Sequence, residues 1–394
     1  MITGSLQVKN DTYYAVLNLY VDGRRRPKWI STNLPVRGNK RKAESVLNEL
    51  INEYETNIAF STGSAGADQM FLNYLYSWLE NARSSIAIMT YQSYHSMIKG
   101  RIEKYFRPKK ITLGQLTAQQ LEEFYRSILS DDCTTNTVIH YHAIIRRALQ
   151  TAVRKDIIPQ NPADKLDRPR KNSYTASFYS VEEMQTLFDA VSGDPIELCV
   201  KLAAYYGLRR SEVLGLRWEA INFKEKLISI QHKVIEYEND DGKTVLLGED
   251  TLKTKSSHRT LPLLPEVEKL LLAEAEKQKM YRRLFKKSYC TDYLDYICVD
   301  QLGKLLYPNY LTEHFTWVIE KYGLRKLRFH DLRHTCASLL LANKVSMKQI
   351  QLWLGHSTFA TTADIYAHLD YSAQVETGAV MNSMYGKPEA DPKA

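Results

Sequence analysis

Two breaks in the hydrophobic pattern constrain this chain more than any other feature. Residues 61–67 read Ser-Thr-Gly-Ser-Ala-Gly-Ala, a small-residue stretch with nothing to bury. Residues 159–178 carry three prolines and several charges without an apolar period. The breaks separate residues 1–60, 68–158 and 179–394, so the chain reads as multidomain, mainly α with small β elements. With 394 residues there is ample material for separate cores.

The first segment alternates as short strands do in Leu-Gln-Val-Lys-Asn, Tyr-Tyr-Ala-Val-Leu-Asn-Leu-Tyr-Val and Pro-Lys-Trp-Ile-Ser-Thr, and Val-Asp-Gly-Arg marks a hairpin turn. A helical pattern follows in Arg-Lys-Ala-Glu-Ser-Val-Leu-Asn-Glu-Leu, so a three-stranded sheet plus one helix is predicted. Residues 1–42 hold nine basic groups against Asp11 and Asp22, a local charge of +7 within a chain of net +8. Strand ribbons with basic edges can enter a DNA major groove, which makes Arg24, Arg25, Arg26 and Lys28 candidate DNA contacts. A solubilising charged face is the plain alternative.

The second segment reads as a bundle of about four helices. Phe71, Tyr74, Leu75, Trp78 and Leu79 share one face, and Val138, Tyr141, Ile145, Ala148, Leu149 and Ala152 share another. Thr117 with Gln120 forms a capping-box pattern. Lys99, Arg101, Arg146 and Arg147 punctuate its helix ends and are candidate phosphate contacts. The third segment opens on Ser180 and Glu183, a second capping box, and is mostly helical with a β-rich interruption at about 226–263.

Composition narrows the chemistry. Five cysteines without a C-x-x-C pair argue against a zinc ribbon or a disulfide framework. No apolar run approaches a membrane span and the N-terminus lacks a signal-peptide core, so a cytoplasmic protein without a membrane partner is the reading. No nucleotide-binding G-x-x-x-x-G-K-[ST] loop and no carboxylate constellation is present.

Four signatures in the last segment carry reactive groups. Arg209 follows Gly207 at a helix start; Lys253 and Lys255 precede a Ser-Ser turn; His330 and Arg333 are spaced i, i+3; His356 lies ten residues before Tyr366. Each has a plain explanation alone: Arg209 could simply pair with Glu212, and His356 could be a core histidine. As an ordered set, they resemble the tyrosine recombinases, specifically integrases of temperate phages and conjugative transposons. The resemblance rests on Gly207-Leu208-Arg209-x-Ser211-Glu212, on the Lys253–Leu263 hairpin box, on His330-x-Leu332-Arg333-His334, on Leu354-Gly355-His356 and on Tyr366. Tyr206 stands where the family often has Thr, read as a packing difference.

The resemblance implies an N-terminal arm-type DNA-binding domain, a helical core-binding domain and a mixed α/β catalytic domain with a C-terminal tail helix. It implies DNA cleavage and rejoining through a 3′-phosphotyrosine on Tyr366. Arg209, Arg333 and His356 would hold the phosphate, His330 would take the tyrosine proton, and a lysine would protonate the leaving oxygen; no cofactor and no metal would be needed, since the arginines supply the charge. Lys253 is favoured for that last role, with Lys255 open because the hairpin has an additional residue. The implied partners are double-stranded DNA at core and arm sites, a homo-tetramer, and an accessory DNA-bending or excision protein. A chromosome-dimer resolvase of the same family and a catalytically silent DNA-binding regulator are the competing readings.

Overall fold

The computed structural model describes residues 3–21, 24–61, 67–131, 133–167, 169–170, 172, 177–239, 241–250, 258–356, 381 and 384. The chain divides into two compact units, residues 1–173 and 174–394. The first therefore holds both the N-terminal sheet and the helical bundle, although each has its own cluster of buried side chains.

In the first unit β1 (Thr3–Lys9), β2 (Thr12–Val21) and β3 (Arg24–Pro35) form an antiparallel sheet in the order β1-β2-β3. Asn10 and Asp11 both take positive φ between β1 and β2, the backbone of a tight mirror-image turn. Helix α1 (Lys40–Ser61) lies on one face, where Ala15, Leu17 and Leu47 are buried together. It crosses so closely that a Cβ on Gly4 would come within 2.9 Å of Leu47 and Ile51. The helix runs through Ser61, which the sequence reading gave to the small-residue linker.

The bundle follows with α2 (Phe71–Ala82), α3 (Ile88–Met97), α4 (Glu103–Phe106), α5 (Ala118–Ser130) and α6 (Thr135–Arg154). A π-turn at Ile98–Ile102 joins α3 to α4 as one continuous run. Phe71, Phe106 and Phe124 stack edge-on or tilted, with centroids 5.0 and 5.3 Å apart, at the centre of the core. Tyr74 and Trp78 turn their polar tips to α6, donating to the Ala148 carbonyl at 2.8 Å and to Thr151 Oγ1 at 3.2 Å. Thr117 and Gln120 close the predicted capping box. One expectation needs correction. Residues 159–178 were read wholly as linker, but Pro162–Lys165 form a 3₁₀ turn whose Ala163 is buried in the bundle. Asn161 secures it, accepting from the Ala163 N–H at 3.0 Å and donating to the Arg146 carbonyl at 3.1 Å. A single turn docked through one small residue has no periodicity to detect.

The second unit begins with α7 (Val181–Ala190), capped by Ser180 and Glu183 as predicted, then α8 (Glu197–Tyr206) and the short α9 (Arg210–Leu214). The β-rich interruption follows: β4 (Ile221–Asn222), β5 (Leu227–Ile230), the hairpin of β6 (Lys233–Glu238) and β7 (Thr244–Glu249), and β8 (Arg259–Pro262). β4, β5 and β8 make one antiparallel sheet, β6 and β7 another. Helices α10 (Pro265–Phe285), α11 (Pro308–Lys321), α12 (Asp331–Ala342) and α13 (Met347–Leu354) complete it. One core runs from Tyr179 to Leu332, and a satellite cluster of Cys336, Ala337, Ile350 and Leu354 joins α12 to α13. Among the described residues, no helix is long and apolar enough to cross a membrane.

Leu149 is fully buried in the bundle. Leu149→Ala should cost about 2–5 kcal/mol, read as faster amide exchange across α5 and α6 while α8 is unchanged.

Candidate active site

The sequence forces a sharp stop at Gly207. Helix α8 ends there in the left-handed region (φ +60°), and a Cβ at this position would lie 2.2 Å from Leu354. The chain then turns into α9, with Arg209 at its N-cap. Glu212, buried one turn later, reaches back to accept from the Arg209 backbone N–H at 3.1 Å and from its Nη1 at 2.5 Å. Thus the ion pair offered as the plain explanation of Arg209 does form, within a larger assembly.

Arg259 enters that assembly from β8. Its Nη2 donates to Glu212 at 3.1 Å and its Nε to the Trp353 carbonyl at 2.9 Å. From the first turn of α12, buried Arg333 donates Nη1 to the Gly207 carbonyl (2.6 Å), Nη2 to the Leu354 carbonyl (2.7 Å) and Nε to His356 Nε2 (3.3 Å). A guanidinium can only donate, so Nε2 is the lone-pair nitrogen of a neutral His356 and Nδ1 carries its hydrogen. Among the described residues, three of five N–H groups on Arg333 are thereby used, leaving one on each terminal nitrogen. His330 caps α12, and its ring meets His334 edge-on at 5.4 Å. Among the described residues, the Nδ1 atom of His334 is buried without a hydrogen-bond partner.

The charges here are lopsided: Arg209, Arg259 and Arg333 face a single carboxylate. Burial alone would raise the Glu212 carboxyl, but Arg259, Arg209 and Arg333 outweigh it and hold it below the usual carboxylate range. Burial, then the like charge of Arg209, pushes Arg333 down to about 9, still protonated at neutral pH. His356 falls to about 3, by burial and then Arg333 and Arg209. His330 is exposed at its surface, yet the protein packed round its ring takes enough water away to push it down to about 4, helped by His334 and then Arg333. Both imidazoles are therefore neutral between pH 5 and 8. A cation-rich, partly dry site of this kind suits an anion with several oxygens. Among the described residues, no three His, Cys, Asp or Glu side chains are grouped to hold a metal.

Of the predicted site residues, Arg209, Arg333 and His356 come together, with His330 on the turn before Arg333. Lys253, Lys255 and Tyr366 lie outside the described residues, as does most of the tail. Tyr206 is fully buried, its hydroxyl donating to the Pro262 carbonyl at 3.1 Å and accepting from the Leu264 N–H at 2.9 Å, a packing role. Sequence reasoning gave no role to Arg259, although it lies within the hairpin box; it is 47 residues from its partner Glu212, beyond any local pattern.

The candidate DNA contacts divide. Lys28 is exposed on β3, where Arg24, Arg25 and Arg26 pair in register with Val21, Tyr20 and Leu19. Lys99 sits in the π-turn. Arg101 pairs with Asp131, Arg146 with Asp164 at 2.6 Å, and Arg147 donates to the Tyr94 hydroxyl at 3.4 Å. Those last three cations have intramolecular partners that an approaching phosphate would compete with.

The phage integrase family model matches residues 178–373, and the phage integrase SAM-like domain model matches residues 70–167. The chain is 22% identical to the XerC-like tyrosine recombinase of Caldanaerobacter subterraneus subsp. tengcongensis, over 88% of this chain and 90% of that protein. It is 24% identical to the ICEBs1 integrase of Bacillus subtilis, over 87% and 89%. Tyrosine recombinase XerC of Listeria monocytogenes serotype 4a is 24% identical, with 92% of its length matching 77% of this chain. Among solved structures, the Tn1549 transposon integrase in complex with a circular intermediate DNA has a TM-score of 0.65 at 18% identity, covering 79% of this chain and 99% of that one. A lambda integrase dimer bound to a core site has a TM-score of 0.56 at 14% identity, covering 92% and 95%. These likenesses establish the fold.

The depressed histidines predict the sign of the pH dependence. Unfolded, His330 and His356 bind protons below about 6.5; folded, they resist to about 4 and 3. Stability is complete above the unfolded value and is lost as pH falls through that window. Thermal melts from pH 7 to 5 should show a falling midpoint, with a shallower slope for His356→Asn.

Proposed function

The chain belongs to the phage integrase family of tyrosine recombinases, DNA strand-exchange enzymes, and on that premise we propose that it is a site-specific integrase that inserts and excises a mobile element. The observation that carries this reading is the cluster of Arg209, Arg259, Arg333 and neutral His356 around one carboxylate, with cationic charge in excess before any DNA is present.

In the proposed reaction, the Tyr366 oxygen bonds to a backbone phosphorus as the bond to the 5′-oxygen breaks, giving a 3′-phosphotyrosine and a 5′-hydroxyl. A phenol near pKa 10 is only about 10⁻³ ionised at pH 7, a deficit of roughly 4 kcal/mol. The family likeness gives that proton to His330; its imidazole is neutral in the free protein, and the negative charge of an arriving phosphate would raise its low basicity. Charge growing on the phosphoryl oxygens meets Arg209, the remaining N–H groups of Arg333 and the Nδ1–H of His356, donors worth about 2.7–4 kcal/mol each in such sites. Lys253, or Lys255 in its place, supplies a proton to the departing oxygen. Reversal by the 5′-end of a partner duplex completes exchange without nucleotide hydrolysis or a divalent cation.

Residues 1–60 would read arm sites while the bundle and catalytic domain clamp the core site, four protomers joining two duplexes through the tail after Tyr366. Resolution of chromosome dimers is the second reading, favoured by the XerC-like relative. The XerC protein of Listeria monocytogenes leaves part of this chain unmatched, which supports a module added to the resolvase plan.

On a nicked suicide substrate, the protein should form a covalent adduct that chelation of divalent cations leaves unchanged. Tyr366→Phe should bind the same DNA and form none; an undiminished adduct rejects the assignment. Arg333→Ala should slow adduct formation by about 10²–10³-fold. Flanking arm sites should raise recombination if the protein is an integrase and change nothing if it is a resolvase.

A further inference from the structure

A second polar cluster in the catalytic unit lies apart from the arginine site. His232, in the connection between β5 and β6, has a side chain only 8% exposed, yet its Nδ1 is 2.6 Å from the carboxylate of Asp250, which is 80% exposed. On the other side of the ring, Nε2 is 2.9 Å from the Tyr296 hydroxyl and 3.1 Å from Arg217 Nη2. Arg217 also donates to that hydroxyl at 3.1 Å and lies over the Tyr296 ring. A guanidinium only donates, so Nε2 holds the lone pair and Nδ1–H points to Asp250. The hydrogen bonds then run one way, from Arg217 through Tyr296 and His232 to Asp250. Strand β7 passes directly over this ring: a Cβ on Gly248 would lie 2.7 Å from the Tyr296 hydroxyl and 2.8 Å from His232 Nε2.

The exposed aspartate stands at a consequential point. It follows the last residue of β7, and Lys253 comes three residues later in the chain. Where the chain returns, Arg259 is bound to Glu212 and to the Trp353 carbonyl. The lysine stretch is therefore entered from a residue tied to a buried, oriented ring and left through a residue tied into the arginine site. We propose that His232 and Asp250 are a positioning pair for the strand-exchange reaction, fixing the point from which the lysine that protonates the leaving 5′-oxygen is carried. The inference rests on the lysine assignment proposed above.

The test compares single-turnover cleavage of suicide substrates whose scissile 5′-atom is oxygen or sulfur. A sulfur leaving group departs as a thiolate and needs no proton, so it bypasses the acid. Asp250→Ala takes the acceptor from the buried Nδ1–H of His232 and so lowers the melting temperature somewhat, but it should still fold and bind DNA, and the sulfur substrate controls for any general loss. It should cleave the oxygen substrate about tenfold to a hundredfold slower and the sulfur substrate within about twofold of the unaltered protein. His232→Gln should behave likewise, and Asp250→Glu should recover part of the oxygen rate. Equal slowing on both substrates, or no slowing on either, overturns the proposal. Sulfur rescue of Lys253→Ala or Lys255→Ala without rescue of Asp250→Ala overturns the positioning role alone. Rescue of Asp250→Ala with neither lysine variant rescued overturns the proposal together with the lysine assignment.

Discussion

Gathering three guanidinium groups around one buried carboxylate is the constraint on which the site depends. Arg333 and Arg259 have side chains almost wholly removed from water, and a buried cation without compensation is among the costliest things a fold can hold. Glu212 can neutralise only part of that charge. The rest falls to the carbonyls of Gly207, Trp353 and Leu354, at the C-terminal ends of α8 and α13. Helix ends of this kind carry partial negative charge and unmatched acceptors, so the two helices stop where the arginines need them. The short α9 adds a third helix, turning Glu212 back on its own N-cap. The remaining excess of positive charge is what makes the site a receptor for an anion.

Much of this was legible in the residues because it is local. The capping boxes at Thr117 and Ser180, the apolar faces of α2 and α6, and the β-rich interruption all arise from neighbours a few positions apart. The grouping of Arg209, Arg333 and His356 was legible by likeness of the ordered motifs. What escaped was non-local. Nothing near Arg259 announces Glu212, and nothing near Asp250 announces a buried His232 eighteen positions earlier. Ala163 anchors a turn on the bundle through shape alone, in a stretch whose prolines and charges read as connection.

The two polar clusters of the catalytic unit are built by opposite means. In the arginine site, charge is concentrated and offset by backbone carbonyls. Around His232 it is passed along a directed chain of donors to a carboxylate in water. The first arrangement stays hungry for an external anion, whereas the second hands its hydrogen bonds to a water-facing carboxylate and gains orientation.

The contact between Gly207 and Leu354 has an evolutionary corollary. These positions are 147 residues apart, yet the absence of a side chain at one is the space occupied by a methyl group of the other. Drift at either is therefore not free: a larger residue at 207 would push away the strand of backbone whose carbonyl holds Arg333, and shortening Leu354 would open a void beneath the same guanidinium. Among divergent descendants of this sequence, the two sites should change as a linked pair.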